Sequence, residues 1–164
     1  VGFAIQPGIG AVGAKVIDAR ERVIDGGLVF GGKRLVNVAH FGRKTADPGN
    51  MCRNLVIGNY SAVSTSCMAL RRGEFETLGG FDTDFSGILA GADLCLRSAA
   101  LGRRIVHDPF VVMRLPKGMP SSRFPSPSAA EMEKFADKWA AVIARDPFYN
   151  PNLRPLNGDF RIDI

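Results

Sequence analysis

Residues able to do chemistry are few in this 164-residue chain, and they are scattered. Carboxylates occur at Asp82-Thr83-Asp84 and at Asp93, histidines at His40 and His107, and thiols at Cys52, Cys67 and Cys95. An Asp-x-Asp pair can ligate a hard divalent cation. Here it follows Gly79-Gly80-Phe81 rather than an apolar strand, a setting that suits a turn or helix-capping carboxylate. Asp93 could act as a proton acceptor, or, in the first turn of a helix, complement the exposed N–H groups and the positive end of the dipole. Arg97, one turn later, is spaced to pair with it. His107 precedes Asp108, but neighbouring strand residues point to opposite faces, which makes a poor general-base dyad. Neither histidine has a serine or cysteine nucleophile at useful spacing, so hydrolase chemistry has little support. The odd number of widely spaced cysteines fits reduced thiols, and Cys67 and Cys95 lie in apolar runs where thiols behave as small hydrophobes.

The elements that must position these groups read as a mixture of strands and helices. Ile9 to Ile17 and Val23 to Phe30 read as two strands joined by the polar turn 18–22. Gly31 to Gly58, rich in glycine and turn residues, reads as a long surface loop. Tyr60 to Leu70 is strand-like, and Arg72 to Leu78 makes one or two helical turns stopped by Gly79-Gly80, after which Phe81 enters the core. Gly91 to Leu101 has helical spacing with Gly102 as its cap, and Ile105 to Leu115 is the next strand. The proline- and serine-rich stretch 116–127 reads as a linker or lid. Ser128 and Glu131 form a capping box ahead of a helix whose Met132, Phe135, Ala136, Trp139, Val142 and Ile143 make one apolar docking face. The expected organisation is an α/β core over 1–115, the linker or lid over 116–127, and a helix with an extended tail over 128–164 packing on that core.

With 46% hydrophobic and 23% charged residues the composition is that of an ordinary globular domain, and no apolar run approaches the roughly 18 residues that would cross a bilayer. A cytoplasmic protein, with a place at the inner face of the membrane left open, is the expected setting. The net charge of +5 is spread over pairs such as Arg71-Arg72 and Arg103-Arg104, without aromatic interleaving or a zinc pattern, so nucleic acid is not the expected partner.

Several phrases, taken in order, resemble family 2 glycosyltransferases of the GT-A fold. They are Gly10-Ala-Val-Gly-Ala-Lys15, Gly26-Gly-Leu-Val29, Ser61 to Cys67, Arg71-Arg-Gly-Glu-Phe75, Gly79-Gly-Phe-Asp82, Asp93-Leu-Cys-Leu-Arg97 and Asp146 to Leu153. The pairing of Gly-Gly-Phe-Asp with Asp-Leu-Cys-Leu-Arg carries most of the resemblance. It implies a mixed β-sheet with flanking helices, the carboxyl-terminal, acceptor-side half of a nucleotide-sugar-binding domain. It also implies transfer of a sugar from a nucleotide-sugar donor to a hydroxyl on a glycan or lipid-linked acceptor, with a divalent metal, Mn or Mg, at the diphosphate. The residues implied at the acceptor edge are Ser64, Thr65, Ser66, Gly79, Gly80, Phe81, Asp82 and Arg114, with Asp93 as the surviving candidate for catalysis.

The same resemblance implies losses. The family's Glu-Asp-x-Asp-Leu phrase supplies the general base, and Ala90 and Gly91 stand at its first two positions. Where many members carry a metal-facing histidine after the following strand, this chain has Arg114, which cannot ligate a metal. The phrases that match follow the place where the family's metal-binding Asp-x-Asp lies, so no residue here supports a metal site. The expectation is an incomplete or inactive transferase module, or alternatively a non-catalytic scaffold packing on another domain of a longer chain, with an exposed sheet edge that favours self-association.

Overall fold

The structure is a computed structural model that describes residues 2–32, 34–119, 126–153 and 160. Its centre is β1 (Ile9–Ile17), a run of Ile, Val, Ala and Gly buried at all 9 positions, the pattern of a strand covered on both faces. β7 (Arg104–Arg114) runs parallel to it. On the other edge of β1 lie two short antiparallel strands, β2 (Val23–Asp25) beside Val16 and Ile17 and β6 (Met68–Ala69) beside Val12 and Gly13. β5 (Gly58–Asn59) extends the sheet beyond β7. A second, two-stranded sheet pairs β3 (Leu28–Phe30) with β4 (Val36–Val38), tied to the chain at Ala62 by a bridge to Leu28.

A parallel pair requires a crossover, and here it includes the helices α1 (Arg72–Thr77) and α2 (Gly87–Ala100). The inner face of α2 presents Leu89, Ala92, Cys95 and Leu96 to Ala11, Val63 and Ile105 of the sheet side. α3 (Ala129–Lys138) and α4 (Ala140–Ala144) bring Met132, Phe135, Trp139, Val142 and Ile143 onto the same core. Phe135 is fully buried, stacked on Phe30 at 6.1 Å and edge-on to Phe85 at 5.4 Å; burial of such a ring contributes about 2–3 kcal/mol. Glu131 completes the capping box with Ser128 and also accepts from the backbone N–H of Ser86 at 2.9 Å, so one carboxylate joins the starts of α2 and α3. The result is a mixed α/β fold, a curled mixed sheet flanked by helices.

Several local expectations change. Val23 to Phe30 is not one strand: Gly27 takes a φ of +93° and a Cβ on Gly26 would lie 2.6 Å from the Ala39 carbonyl oxygen, so the chain turns there and passes from one sheet to the other. The stretch 31–58 is not a surface loop, because β4 and the buried Asn37, Ala39, His40 and Asn54 fold into the body. Tyr60 to Leu70 is strand only at Met68–Ala69; a 3-10 turn at Thr65–Cys67 precedes it, started by the Ser64 side chain accepting from the Ser66 N–H. Phe81 does not enter the core: it is 46% exposed and rests edge-on against Phe75, because the neighbouring carbonyls rather than the ring anchor that loop. The linker positions 120–125 and the tail positions 154–159 and 161–164 lie outside the described residues.

Candidate functional site

Two clusters collect most of the residues singled out in the sequence. The first forms at the gap between β2 and β6 along the edge of β1. β2 ends on Asp25, paired with Val16, while β6 begins at Met68, paired with Gly13. The turn Ser64-Thr65-Ser66-Cys67 fills the space between them. Ser64 Oγ lies 2.9 Å from Ser66 Oγ, and both hydroxyls interact with the Asp25 carboxylate, as does the Gly27 N–H at 3.4 Å. Asp25 is 5% exposed, and burial pushes its carboxyl up to about 6 against the opposing pull of these donors. From the other side, α2 approaches the turn with Gly91. A Cβ on Gly91 would stand 2.9 Å from Thr65 Cγ2 and 3.2 Å from Thr65 N, so only glycine allows helix and turn to meet this closely.

The second cluster centres on Asp93. α2 begins at Gly87, so Asp93 sits in the second turn rather than the first, and side chains instead of helix N–H groups are its partners. Arg97 Nε donates to Oδ2 at 2.7 Å, while Trp139 Nε1 at 3.0 Å and Lys138 Nζ at 2.8 Å both reach Oδ1. Arg97 also donates to the carbonyls of Leu78 at 2.5 Å and Gly80 at 2.8 Å, which fixes the Gly79-Gly80-Phe81-Asp82 loop on α2. Lys138 reaches Asp82 at 2.8 Å and lies over the Phe85 ring at 5.2 Å. Burial works against the Lys138 charge, but the bonds from Asp82 and Asp93 outweigh it and raise the ammonium above its ordinary range. The bond from Lys138 correspondingly lowers Asp82. With Asp93 fully buried and both its oxygens occupied, the cluster binds the Gly-Gly-Phe-Asp loop, α2 and the end of α3 into one unit.

Arg114 belongs to neither cluster. It lies at the far end of β7 and pairs with Glu21 at 2.9 Å, both side chains more than half exposed. His107 and Asp108 point apart as the alternation requires: His107 is buried and its ring meets Tyr60 edge-on at 5.6 Å, whereas Asp108 accepts from the Phe110 N–H. Burial lowers His107 to about 3 and His40 to about 4, so both imidazoles are neutral near neutrality. Cys95 is buried with its thiol pushed up to about 12 by burial. The described residues do not fit a bound divalent metal. Among the described residues no group of three or more His, Cys, Asp or Glu is placed to hold one, and Asp82 and Asp84 are each paired with a lysine of α3.

Sequence reasoning missed Asp25, along with Lys15, Glu74 and Asp146, all buried. Lys15 Nζ donates to the Asn54 carbonyl at 2.6 Å, and Asp146 accepts from Ser61 at 2.5 Å and from the N–H groups of Phe30 and Phe148. The available signal was a charged residue set inside or at the end of an apolar run, as in Val23-Ile24-Asp25 and Ala14-Lys15-Val16. A cleft of about 610 Å³, lined by Val12, Ala14, Cys67, Met68, Asp108 and Val111 among others, meets the turn 64–67 only at Cys67 and is not lined by Asp25, Ser64 or Ser66.

The chain is 31% identical over 163 residues to the O-antigen biosynthesis protein RfbC of Myxococcus xanthus, covering 93% of this chain and 12% of that protein. It is 28% identical over 166 residues to the uncharacterized protein y4gI of Sinorhizobium fredii (strain NBRC 101917 / NGR234), covering 98% of this chain and 18% of that protein. The chain thus spans less than a fifth of the length of either relative. No family model matches it, and no solved structure does. No helix among the described residues is long and apolar enough to cross a membrane.

Proposed function

We propose that this chain is a glycosyltransferase-related module of glycan assembly, the acceptor-side part of a longer protein that joins a sugar from a nucleotide-sugar donor to a hydroxyl of a glycan or lipid-linked acceptor. The observation that carries the reading is the similarity along 93% of the chain to a protein named for O-antigen biosynthesis. The geometry supports it in two ways. The phrase pair that carries the family resemblance, Gly79 to Asp82 and Asp93 to Arg97, forms one contiguous hydrogen-bonded unit. The serine-rich turn 64–66 packs on Gly91, the helix position where the resemblance puts a catalytic carboxylate. Glycine there and three donors on Asp93 support a reading in which the catalytic carboxylate comes from polypeptide outside these residues.

One observation favours a second reading, a scaffold domain that docks on another domain. One step on β1, from Ala14 to Lys15, corresponds to the step from Asp108 to Val112 on β7. The bulge leaves Phe110 73% and Val111 50% exposed, and Val112, the paired residue that follows, is 49% exposed. Calorimetric titration with a panel of nucleotide sugars and nucleoside diphosphates, with and without manganese, alongside a panel of glycosides, separates the readings. The acceptor-side reading expects glycoside binding without metal-dependent nucleotide binding. Metal-dependent nucleotide binding would place a donor site in this chain and refute the division of labour; absence of any binding would leave the scaffold reading.

A further inference from the structure

We propose that one apolar edge of this module, formed by Met51, Leu55, Val56 and Ile57 together with Phe110 and Val111, dips into the surface of a membrane that carries anionic headgroups. The inference goes beyond the sugar-transfer reading and stands without it, and it competes with the scaffold reading for the same surface.

The fold brings two distant stretches of sequence to this edge. The Asn54 carbonyl accepts from Lys15 Nζ at 2.6 Å, and Lys15 is the partner of Val112 across β1 and β7. At the other end of the stretch, Gly58 is paired with His107. Residues 54–58 are therefore fastened at both ends along the bulged part of β7, and the antiparallel sense of β5 runs Leu55, Val56 and Ile57 past 108–112. All three are exposed, as are Phe110 and Val111. Met51 extends the edge. Turn bonds from the Arg53 N–H to the Asn50 carbonyl and from the Leu55 N–H to the Cys52 carbonyl fold this segment tightly. Met51 and Cys52 take φ of +50° and +60°, and the Met51 residue is left 88% exposed. Left-handed backbone costs a residue that has a Cβ, so two in succession mark a loop whose shape the surrounding structure imposes. A neighbouring set of exposed apolar side chains marks an interaction surface.

The charge beside the edge selects what lies on it. Arg22 and Lys44 are bridged near the carboxyl end of β1, where Arg114 is the partner of Ile17, and Lys117 follows on from that strand. Asn54 Nδ2 donates to the Lys44 carbonyl at 3.4 Å, which keeps Lys44 beside the apolar stretch. Among the described residues no carboxylate pairs with the side chains of Arg22, Lys44 or Lys117; Glu21 is taken by Arg114 and Asp47 by Arg43. Asp108, the carboxylate within the bulge, accepts from the Phe110 N–H. Cations at one end of an apolar edge match an anionic membrane, which offers headgroup charge and hydrocarbon at adjoining depths. A protein partner fits less well, since protein hot spots are Trp, Tyr and Arg seated in pockets with Leu and Val under-represented, whereas this edge is mostly aliphatic and projects outward.

The test is flotation of the chain with vesicles of phosphatidylcholine alone or with about 30% phosphatidylglycerol, at about 0.1 M and about 0.5 M salt. Binding is expected on the anionic vesicles, about tenfold weaker at the higher salt, with little on the neutral ones. The double variant Met51→Ser, Phe110→Ser is expected to bind about tenfold more weakly at either salt, and Lys44→Gln with Lys117→Gln about tenfold more weakly at the lower salt only. Leu101→Ser, an exposed apolar position before the amino end of β7, is expected to change nothing. No binding to anionic vesicles, equal binding to neutral ones, or full binding by Met51→Ser, Phe110→Ser would overturn the proposal. Dimerisation of the wild type in solution that this double variant abolishes would give the edge to a second copy of the chain and overturn it as well. Hydrogen exchange of the wild type decides without any variant. Slowing on anionic vesicles confined to 51–57 and 110–112 supports the docking, and slowing elsewhere or none refutes it. A chain that binds no nucleotide sugar or glycoside and still floats in this way would lose the sugar-transfer reading and keep this one.

Discussion

Replacing Asp25 by asparagine should make the folded chain more stable near neutral pH, an unusual outcome for removal of a buried charge. Burial raises the Asp25 carboxyl from 3.8 to about 6, so the folded chain holds its proton more tightly than the unfolded chain does. Below about pH 4 both states are protonated and there is no cost. As pH rises through the folded midpoint the folded carboxyl must ionise in a desolvated place, and stability is lost. A shift of about two units at 1.36 kcal/mol each amounts to about 3 kcal/mol at pH 7. Since Asp25 is only 5% exposed, solvent screening discounts little of this. Asparagine is nearly isosteric and neutral at every pH, and its amide oxygen can still accept from Gly27 and the serines. The expected result is a variant up to about 3 kcal/mol more stable at pH 7, the advantage shrinking toward pH 4. Urea unfolding at a series of pH values measures it. His40 and His107, both lowered by burial, destabilise the chain as pH falls below their ordinary range, but they do so equally in the two proteins and cancel in the difference. A stability difference that does not change between pH 4 and pH 7, or a variant less stable at pH 7 than at pH 4 relative to wild type, would refute the argument.

Asp93→Ala should behave oppositely, costing about 1–3 kcal/mol because it leaves the part-buried Arg97 guanidinium and Trp139 indole N–H without their carboxylate, while the exposed Lys138 keeps Asp82; thermal melts and Trp139 fluorescence measure it, and a loss below about 0.5 kcal/mol would show that the network is not what joins α3 to α2. Gly91→Asp should not restore a catalytic carboxylate and should cost about 1–3 kcal/mol, since its Cβ meets Thr65 Cγ2 at 2.9 Å. Thr65→Ser, which removes that methyl group, should recover part of the loss in the double variant, and strict additivity in chemical denaturation would rule out this contact as the cause.

Much of the fold was legible in the sequence. The apolar run Ile9 to Ile17, the strand near Ile105, and the Ser128–Glu131 capping box with its stripe through Phe135 and Trp139 all depend on neighbours within one or two turns. Short-range periodicity and capping chemistry fix such elements wherever they sit. Less legible was the stretch from Val23 to Leu70, where glycine turns divide expected strands and an apparent loop folds inward, because pairing between short strands is decided by distant partners such as Ala62 for Leu28.

The candidate site shows the same division. The sequence by itself determined which side chains were present, that Gly91 and Ala90 offer no proton acceptor, and that Asp93 and Arg97 share a helix face. The tertiary structure alone decided what environment each carboxylate has. Trp139 reaches Asp93 across 46 residues of sequence, Arg97 selects the carbonyls of a separate loop, Arg114 pairs with Glu21 away from both clusters, and the end of β2 places Asp25 under a serine turn without a cation. Charge burial is a property of the assembled surroundings, since desolvation depends on every group that excludes water, and no local pattern of residues encodes it.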